Sequence, residues 1–352
     1  MAEEFGGFGV IGLGLWGETH LQVYTSTPGC RLLAVCDLDA DLARRRAEEY
    51  GVPRWTTDYR ELLAEPGLSA VSIATPDFAH YELAAAAIAA GKHVLLEKPM
   101  TTRLDQAEAL AQAARAAGVT VMVDFHNRWN PAFVTAREAI LAGEVGQIAT
   151  LSLLLNDTLY VPTQMLSWAA KSSVGWFLGA HVADLARWLT GEEVTRVFCV
   201  ARSRTLSALG VDTPDFMQTI LELSGGAVAH LENCWIMSDS QPNLFDLKLE
   251  LFGAQGSLYV DMATNRMLQK YTPAGGVYPD LAVRGSVHGK PRGFGLESIR
   301  HFAECVLTGA APLVSLDDGV ENVRIVEAMH RSAELGQPVD LDGMAERVKG
   351  EK

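Results

Sequence analysis

The stretch that decides the fold is Val10-Ile11-Gly12-Leu13-Gly14-Leu15-Trp16-Gly17. It ends the compact apolar run Phe8–Leu13 and opens the helical pattern Trp16–Tyr24, so a GxGxxG sits between a strand and a helix. Gly12 permits the tight turn, Gly14 lets the backbone approach a pyrophosphate, and Gly17 allows close helix–strand packing. The loop residues Leu13, Leu15 and Trp16 present their backbone to the same phosphates. The N–H groups of the first helical turn, with the helix dipole, attract phosphate charge. Asp37 ends the next strand, twenty residues after Gly17. A carboxylate there accepts from ribose hydroxyls and repels a 2′-phosphate, which favours NAD over NADP. Arg44, Arg45 and Arg46, further along the following helix, soften that preference. A glycine turn or a strand-end acid alone is common; their order and spacing together indicate a dinucleotide site.

Outward from this turn, short β-branched runs alternate with Ala-rich helical patterns. The runs are Arg31–Cys36, Ala70–Ala74, His93–Leu96 and Val119–Val123; the helical stretches are Asp41–Tyr50, His80–Ala90 and Leu104–Ala117. This is the rhythm of parallel βαβ units. After about residue 125 the rhythm changes. Strand patterns then follow in near succession at Ile148–Leu155, Arg196–Ala201, Phe216–Leu223, Ala227–Cys234, Leu247–Phe252 and Ser257–Val260. Ser224-Gly225-Gly226 joins one pair as a tight hairpin and Gly253–Gly256 another. Helical patterns in this part cover Pro131–Ala142, His181–Leu189 and Leu296–Leu307, and the Gly- and Pro-rich stretch Tyr271–Arg292 reads as a surface loop. The expected architecture is an α/β Rossmann domain with a parallel sheet over residues 1–125. An α+β domain with a large, mostly antiparallel open sheet follows over 126–352.

Composition excludes several classes. The chain has 352 residues, 48% of them hydrophobic, with 29 Lys+Arg against 43 Asp+Glu. At roughly 150 residues per domain this suggests two domains. A net charge of −14 opposes attraction to nucleic-acid phosphates. The apolar run Leu83–Gly91 is bounded by Glu82 and Lys92, well short of the roughly 18 residues that span a bilayer. Two acids follow Met1 where a signal peptide carries basic residues. The five cysteines, Cys30, Cys36, Cys199, Cys234 and Cys305, are widely spaced and never form a CxxC pair. They read as reduced thiols of a cytoplasmic protein. No nucleic-acid or membrane partner is expected.

Two further stretches carry chemistry. One is Ala74-Thr75-Pro76-Asp77-Phe78-Ala79-His80, leaving a strand for a helix; the other is Gly91-Lys92-His93-Val94-Leu95-Leu96-Glu97-Lys98-Pro99. Lys98 falls at the carboxyl end of a parallel strand, where open α/β sheets bind ligands. Pro99 biases it towards an extended backbone. With Asn127-Arg128-Trp129 ahead of Pro131 and His181-x-x-Asp184, these segments closely resemble the Gfo/Idh/MocA family of NAD(P)-dependent oxidoreductases, over nearly the whole chain. The resemblance implies a hydride transfer between a nicotinamide and a sugar, cyclitol or related polyhydroxylated substrate. It implies Lys98 as a catalytic and cofactor-side group, Thr75 and Pro76 in the cofactor loop, Glu97 beside Lys98, and His181 as the acid/base. His80 reads better as a structural residue than as a cofactor neighbour.

One departure stands out. Dehydrogenases of the family carry D-x-x-x-H in the second domain, and here Phe177 stands four residues before His181. Phe177 can neither ionise nor hydrogen-bond, which implies a more apolar pocket or an acid supplied from elsewhere. Asp157 and Tyr160 are candidates to line the same site, with an ordinary Asn-Asp loop as the equal alternative. Trp168, Trp176 and Phe177 form an aromatic cluster suited either to stacking on a sugar-like ring or to a hydrophobic core. Arg128 contacts the substrate or the cofactor phosphate, with an interdomain ion pair as the stronger alternative, and Asp184 orients His181 or caps packing against the first domain. His181 and Asp184 make half a metal site with no third ligand evident, so no metal is expected. Three readings of function follow: a dehydrogenase, an NAD-dependent glycoside hydrolase with no net cofactor turnover, and a non-catalytic NAD(P)-binding regulator. A homo-oligomer, dimer or tetramer, is expected because one sheet face of the second domain is left open.

Overall fold

The computed structural model describes residues 5–262, 268–273, 275–279 and 281–341. The two N-terminal acids read above lie outside the described residues. The chain forms two compact units, residues 1–126 with 282–321, and residues 127–281 with 322–352.

In the first unit the order is β1 (Gly6–Ile11), α1 (Leu15–Ser26), β2 (Cys30–Cys36), α2 (Ala40–Tyr50), β3 (Arg54–Thr56), α3 (Tyr59–Leu63), β4 (Leu68–Ile73), α4 (His80–Ala89), β5 (His93–Leu96), α5 (Leu104–Ala117) and β6 (Val121–Val123). The sheet runs β3-β2-β1-β4-β5-β6, and every neighbouring pair is parallel. Phe8 and Val10 of β1, Ala70, Val71 and Ile73 of β4 and Val94, Leu95 and Leu96 of β5 are fully buried. Strands covered on both faces by helices read as continuous apolar runs, which is why they stood out in the sequence. The order reverses between β1 and β4, and a ligand crevice opens at the carboxyl ends of the strands at such a switch point. Gly12, Asp37, Thr75 and Lys98 follow the carboxyl ends of β1, β2, β4 and β5. The short β3 and α3 escaped the sequence reading because three to five residues carry too little periodicity.

The second unit begins with α6 (Pro131–Leu141), started by Asn130, whose side chain accepts from the Ala132 N–H, and by Pro131 at the first turn. Then come β7 (Ile148–Thr158), α7 (Ala180–Thr190), β8 (Val194–Arg202), α8 (Thr205–Ala208), β9 (Phe216–Leu223), β10 (Val228–Met237), β11 (Phe245–Gly253), β12 (Ser257–Asp261), β13 (Lys270–Thr272) and β14 (Gly275–Val277). The chain continues through β15 (Gly285–Val287), β16 (Lys290–Arg292), α9 (Phe294–Thr308), α10 (Leu316–Leu335) and β17 (Val339–Asp340). One seven-stranded sheet runs β12-β11-β7-β10-β9-β8-β17. It is antiparallel except at β7–β10, so the expected open, mostly antiparallel sheet is present. Its inner face buries Leu151, Leu153, Leu221, Leu231 and Leu249. Its other face leaves Phe198, Ile220, Val228, Phe252 and Tyr259 partly exposed.

Three features differ from the sequence reading. Residues 282–321, read as part of the second domain, pack with the first unit. There α9 buries Phe294, Leu296, Ile299 and Phe302 and meets α1 and β5. Periodicity announces such a helix but not which core receives it. Helix α10, starting in the first unit and ending in the second, was not predicted. Its acids and β-branched valines blur the period on which Val320, Val323, Val326 and Met329 are buried. The stretch read as a plain loop over Tyr271–Arg292 holds two short ribbons, β13–β14 and β15–β16. No helix among the described residues is long and apolar enough to cross a membrane.

Candidate functional site

At the first turn, Gly12 has φ +86, and a Cβ there would lie 2.5 Å from the Ala74 carbonyl oxygen. A Cβ on Gly17 would stand 1.9 Å from the Gly12 carbonyl oxygen, so helix and turn touch through backbone alone. A Cβ on Gly14 would meet nothing within 4 Å, which leaves open space above the turn. Gly14 also starts α1 without a side-chain cap, and the donors of that first turn face this space uncapped by any side chain. Leu15 is half exposed, while Trp16 packs on His126 with ring centroids 5.1 Å apart. The Asp37 carboxylate accepts from the Leu13 N–H at 2.7 Å and the Asp39 N–H at 2.9 Å. Its charge is thereby fixed against the turn. Arg44 pairs with Asp41 and Glu48, and Arg46 with Glu18 and Glu49.

Beyond β4, the Thr75 hydroxyl oxygen is buried without a hydrogen-bond partner among the described residues. His80 stands 2.7 Å from the Pro99 carbonyl and 3.0 Å from the Thr75 carbonyl. Burial lowers its pKa against the pull of those carbonyls and Asp77. A neutral imidazole has one N–H, so it serves one carbonyl at a time. His80 ties the Thr75-Pro76 loop to the Lys98-Pro99 loop, in keeping with its structural reading. Open space at Gly14, an uncapped helix turn, an orphaned hydroxyl at Thr75 and an anchored acid at Asp37 together fit a dinucleotide.

Lys98 is nine-tenths buried, and its peptide to Pro99 is cis. Behind it lies a polar cluster that the sequence reading missed. His20 of α1 contacts Glu97 Oε1 through Nε2 at 3.1 Å and Ser72 Oγ through Nδ1 at 2.8 Å; Tyr24 reaches the same Ser72 at 2.6 Å. Asp124, just past β6, is fully buried, and ligand atoms of His20, Glu97 and Asp124 all lie within 4.8 Å of one another. Burial pushes Glu97 up to about 7, opposed by Lys98, and holds Asp124 well above the usual carboxylate range. Burial lowers His20 to about 4 and His126 to about 3. The signal that could have found Asp124 and His126 was their place after β6, equivalent to that of Lys98 after β5.

In the second unit, a π-helical turn over Gly175–Gly179 runs directly into α7. Such turns recur at functional sites because they displace side chains from α-helical spacing. His181 is buried, with Nδ1 3.5 Å from Asn127 Nδ2. Arg128 donates to both oxygens of Asp184, Nε at 3.0 Å and a terminal nitrogen at 2.6 Å, with both side chains buried. The ion pair of Arg128 thus lies within this unit and is not the interdomain pair expected from the sequence, and Asp184 serves Arg128. Asp157 is buried at the end of β7 and accepts from Trp235 Nε1 at 3.3 Å. Phe177 sits between Trp168 and Trp235, at centroid distances of 6.1 and 5.7 Å. The cluster read as Trp168, Trp176 and Phe177 is therefore Trp168, Phe177 and Trp235. Trp176 stacks on His330 at 5.0 Å instead, because successive residues of a helical turn point to different sides. Tyr160 is 42% exposed, and its backbone N–H donates to Asp239.

Comparison with known proteins decides the family. Residues 7–125 match the oxidoreductase family with an NAD-binding Rossmann fold, and residues 133–259 match the GFO/IDH/MocA C-terminal domain. A scyllo-inositol 2-dehydrogenase (NAD(+)) of Bacillus subtilis is 31% identical over 95% of this chain and 95% of its own length. The chain belongs to the Gfo/Idh/MocA family. It is an NAD-binding oxidoreductase. A myo-inositol 2-dehydrogenase of Thermotoga maritima is 27% identical over 95% of this chain and 98% of its own. The solved structure of GenD2 from gentamicin A biosynthesis, in complex with NAD, has TM-score 0.83 and 26% identity over 96% of each chain.

Proposed function

We propose that the protein is an NAD-dependent dehydrogenase that oxidises a CH–OH group of a cyclitol or sugar. The observation that carries this reading is Lys98, a buried lysine at the carboxyl end of β5, on the sheet whose β1 bears the Gly12–Gly17 turn. Oxidation of a secondary alcohol removes one hydride and one proton, and bound NAD supplies the hydride acceptor. The Lys98 ammonium donates to the substrate oxygen and stabilises the negative charge that develops there. His181 takes the hydroxyl proton on Nε2 when Asn127 turns its amide oxygen to the Nδ1–H, and the imidazolium so formed returns that proton in the reverse reaction. Phe177, Trp168 and Asp157 contribute apolar and polar surface for the ring of the substrate, and Arg128 holds α7 through Asp184. Absorbance of reduced cofactor over a panel of inositols, aldoses and their acids tests the reading; NAD reduction by none of them would overturn it.

Asp37 sets cofactor preference in this reading, with Glu97, Thr75, Pro76 and the backbone of Leu13, Leu15 and Trp16 completing the cofactor side. Its fixed carboxylate opposes a 2′-phosphate, and Arg44 and Arg46 are engaged by acids. Calorimetric titration should show NAD binding more tightly than NADP, with Asp37→Ser narrowing the gap. Equal or tighter NADP binding by the unaltered protein would contradict it.

The protein works as a homo-oligomer, dimer or tetramer, in the cytoplasm. Support for assembly comes from the apolar stripe Phe198, Ile220, Val228, Phe252 and Tyr259 across β8 to β12, since an exposed patch of this kind suits a second copy. Support for the compartment comes from five cysteines that form no disulfide. Light scattering should give a multiple of the monomer mass, and Ile220→Glu with Val228→Glu should return it to the monomer. A monomeric unaltered protein would reject the assembly.

A further inference from the structure

The polar cluster behind Lys98 contains an imbalance. Asp124 is fully buried, and neither of its carboxyl oxygens has a hydrogen bond of normal geometry among the described residues, with Ser298 close enough to pull its pKa down against burial. An ionised carboxylate only accepts hydrogen bonds, so two such groups side by side cannot satisfy each other. Glu97 is the carboxyl neighbour of Asp124, and the groups facing the two are His20 and, through Ser72, Tyr24 from the α1 side, Lys98 and His126 after β5 and β6, and Ser298 from α9. The Ser298 hydroxyl donates to the Gly295 carbonyl. On the opposite side the chain of contacts has a consistent direction when Glu97 carries the charge. The Tyr24 hydroxyl donates to Ser72, Ser72 donates to His20 Nδ1, and His20 Nε2–H donates to Glu97 Oε1. A proton lying between the two carboxyls would supply the missing donor.

We propose that Glu97 and Asp124 share one proton and act as a single buried acid pair that holds one negative charge beside Lys98, which makes Asp124 a positioning residue for the reaction. Two adjacent carboxylates in a desolvated pocket cannot both ionise at neutral pH, since each charge raises the cost of the other. Burial pushes both groups upward, in agreement with a retained proton. The role matters for catalysis through the reading of Lys98 as catalytic, on which it rests: one charge, rather than two or none, sets how firmly the ammonium keeps its proton.

The test is infrared spectroscopy of the full chain with and without NAD, which needs no substrate and so is independent of the role of Lys98. The unaltered protein should show a buried protonated-carboxyl C=O band at neutral pH, and Asp124→Asn and Glu97→Gln should each abolish it. Thermal unfolding against pH gives a second readout. A carboxyl whose folded value of about 7 lies above its ordinary 4.5 contributes stability below pH 4.5 that is lost as the pH rises to about 7. Glu97→Gln should remove that loss from the profile. Absence of the band in the unaltered protein at neutral pH overturns the proposal. So does a stoichiometric divalent metal in the purified protein that is lost in Asp124→Asn, since ligating carboxylates share no proton. Lys98→Met with full activity but an intact band would instead reject the catalytic lysine and leave the pair standing.

Discussion

Lys98→Met should lower turnover by about 10²–10⁴-fold, the range that a positioned proton-transfer or charge-stabilising group contributes. Methionine keeps the length and apolar stem of the side chain and removes the ammonium. The site is nine-tenths buried, so an apolar replacement of the same length fits it, and folding and NAD binding should persist. A loss below roughly tenfold would argue that Lys98 does not touch the reacting atoms. Loss of folding would show that it serves the packing of the Glu97-Lys98-Pro99 segment instead.

His181→Ala should have an effect of similar size, about 10²–10⁴-fold on turnover, with little change in cofactor affinity. The histidine belongs to the second unit, whereas the turn, Asp37 and Thr75 belong to the first. Phe177 stands where the family's dehydrogenases carry an acid, and it is packed between Trp168 and Trp235. Asp184, the nearest acid along α7, is held by Arg128 in a two-point ion pair. In the proposed mechanism His181 carries the proton without an acid four residues before it, so the pH–rate profile should show a limb that vanishes in the variant. Near-normal turnover by His181→Ala would move the acid/base role to Asp157 or Tyr160.

What was legible in the sequence was whatever chemistry is written locally. Gly12, Gly14, Gly17 and Asp37 lie within 26 residues; the glycines answer to backbone requirements of one strand–turn–helix unit, and Asp37 supplies its carboxylate at the end of the next strand. Buried strands of a parallel sheet announce themselves as unbroken apolar runs, so five of the six strands were legible from the βαβ rhythm. Contacts between distant segments were not legible. His20 and Glu97 are 77 positions apart, and nothing in either segment names the other. The same holds for Trp235, which replaces Trp176 beside Phe177, and for Arg128, whose partner lies 56 positions on. Helix α9 shows its apolar face in the sequence, but a face does not state its destination.

The most direct measurement follows a labelled hydrogen. The cyclitol or sugar that reduces NAD fastest is deuterated at its carbinol carbons, incubated with the protein and NAD, and the cofactor is examined by NMR. The expected result is one deuterium at nicotinamide C4 for each oxidised substrate molecule, formed about 10²–10⁴-fold more slowly with Lys98→Met and His181→Ala. Deuterium returned to a cleaved glycoside with no net reduced cofactor, or tight NAD binding with no transfer from any polyol, would contradict a dehydrogenase.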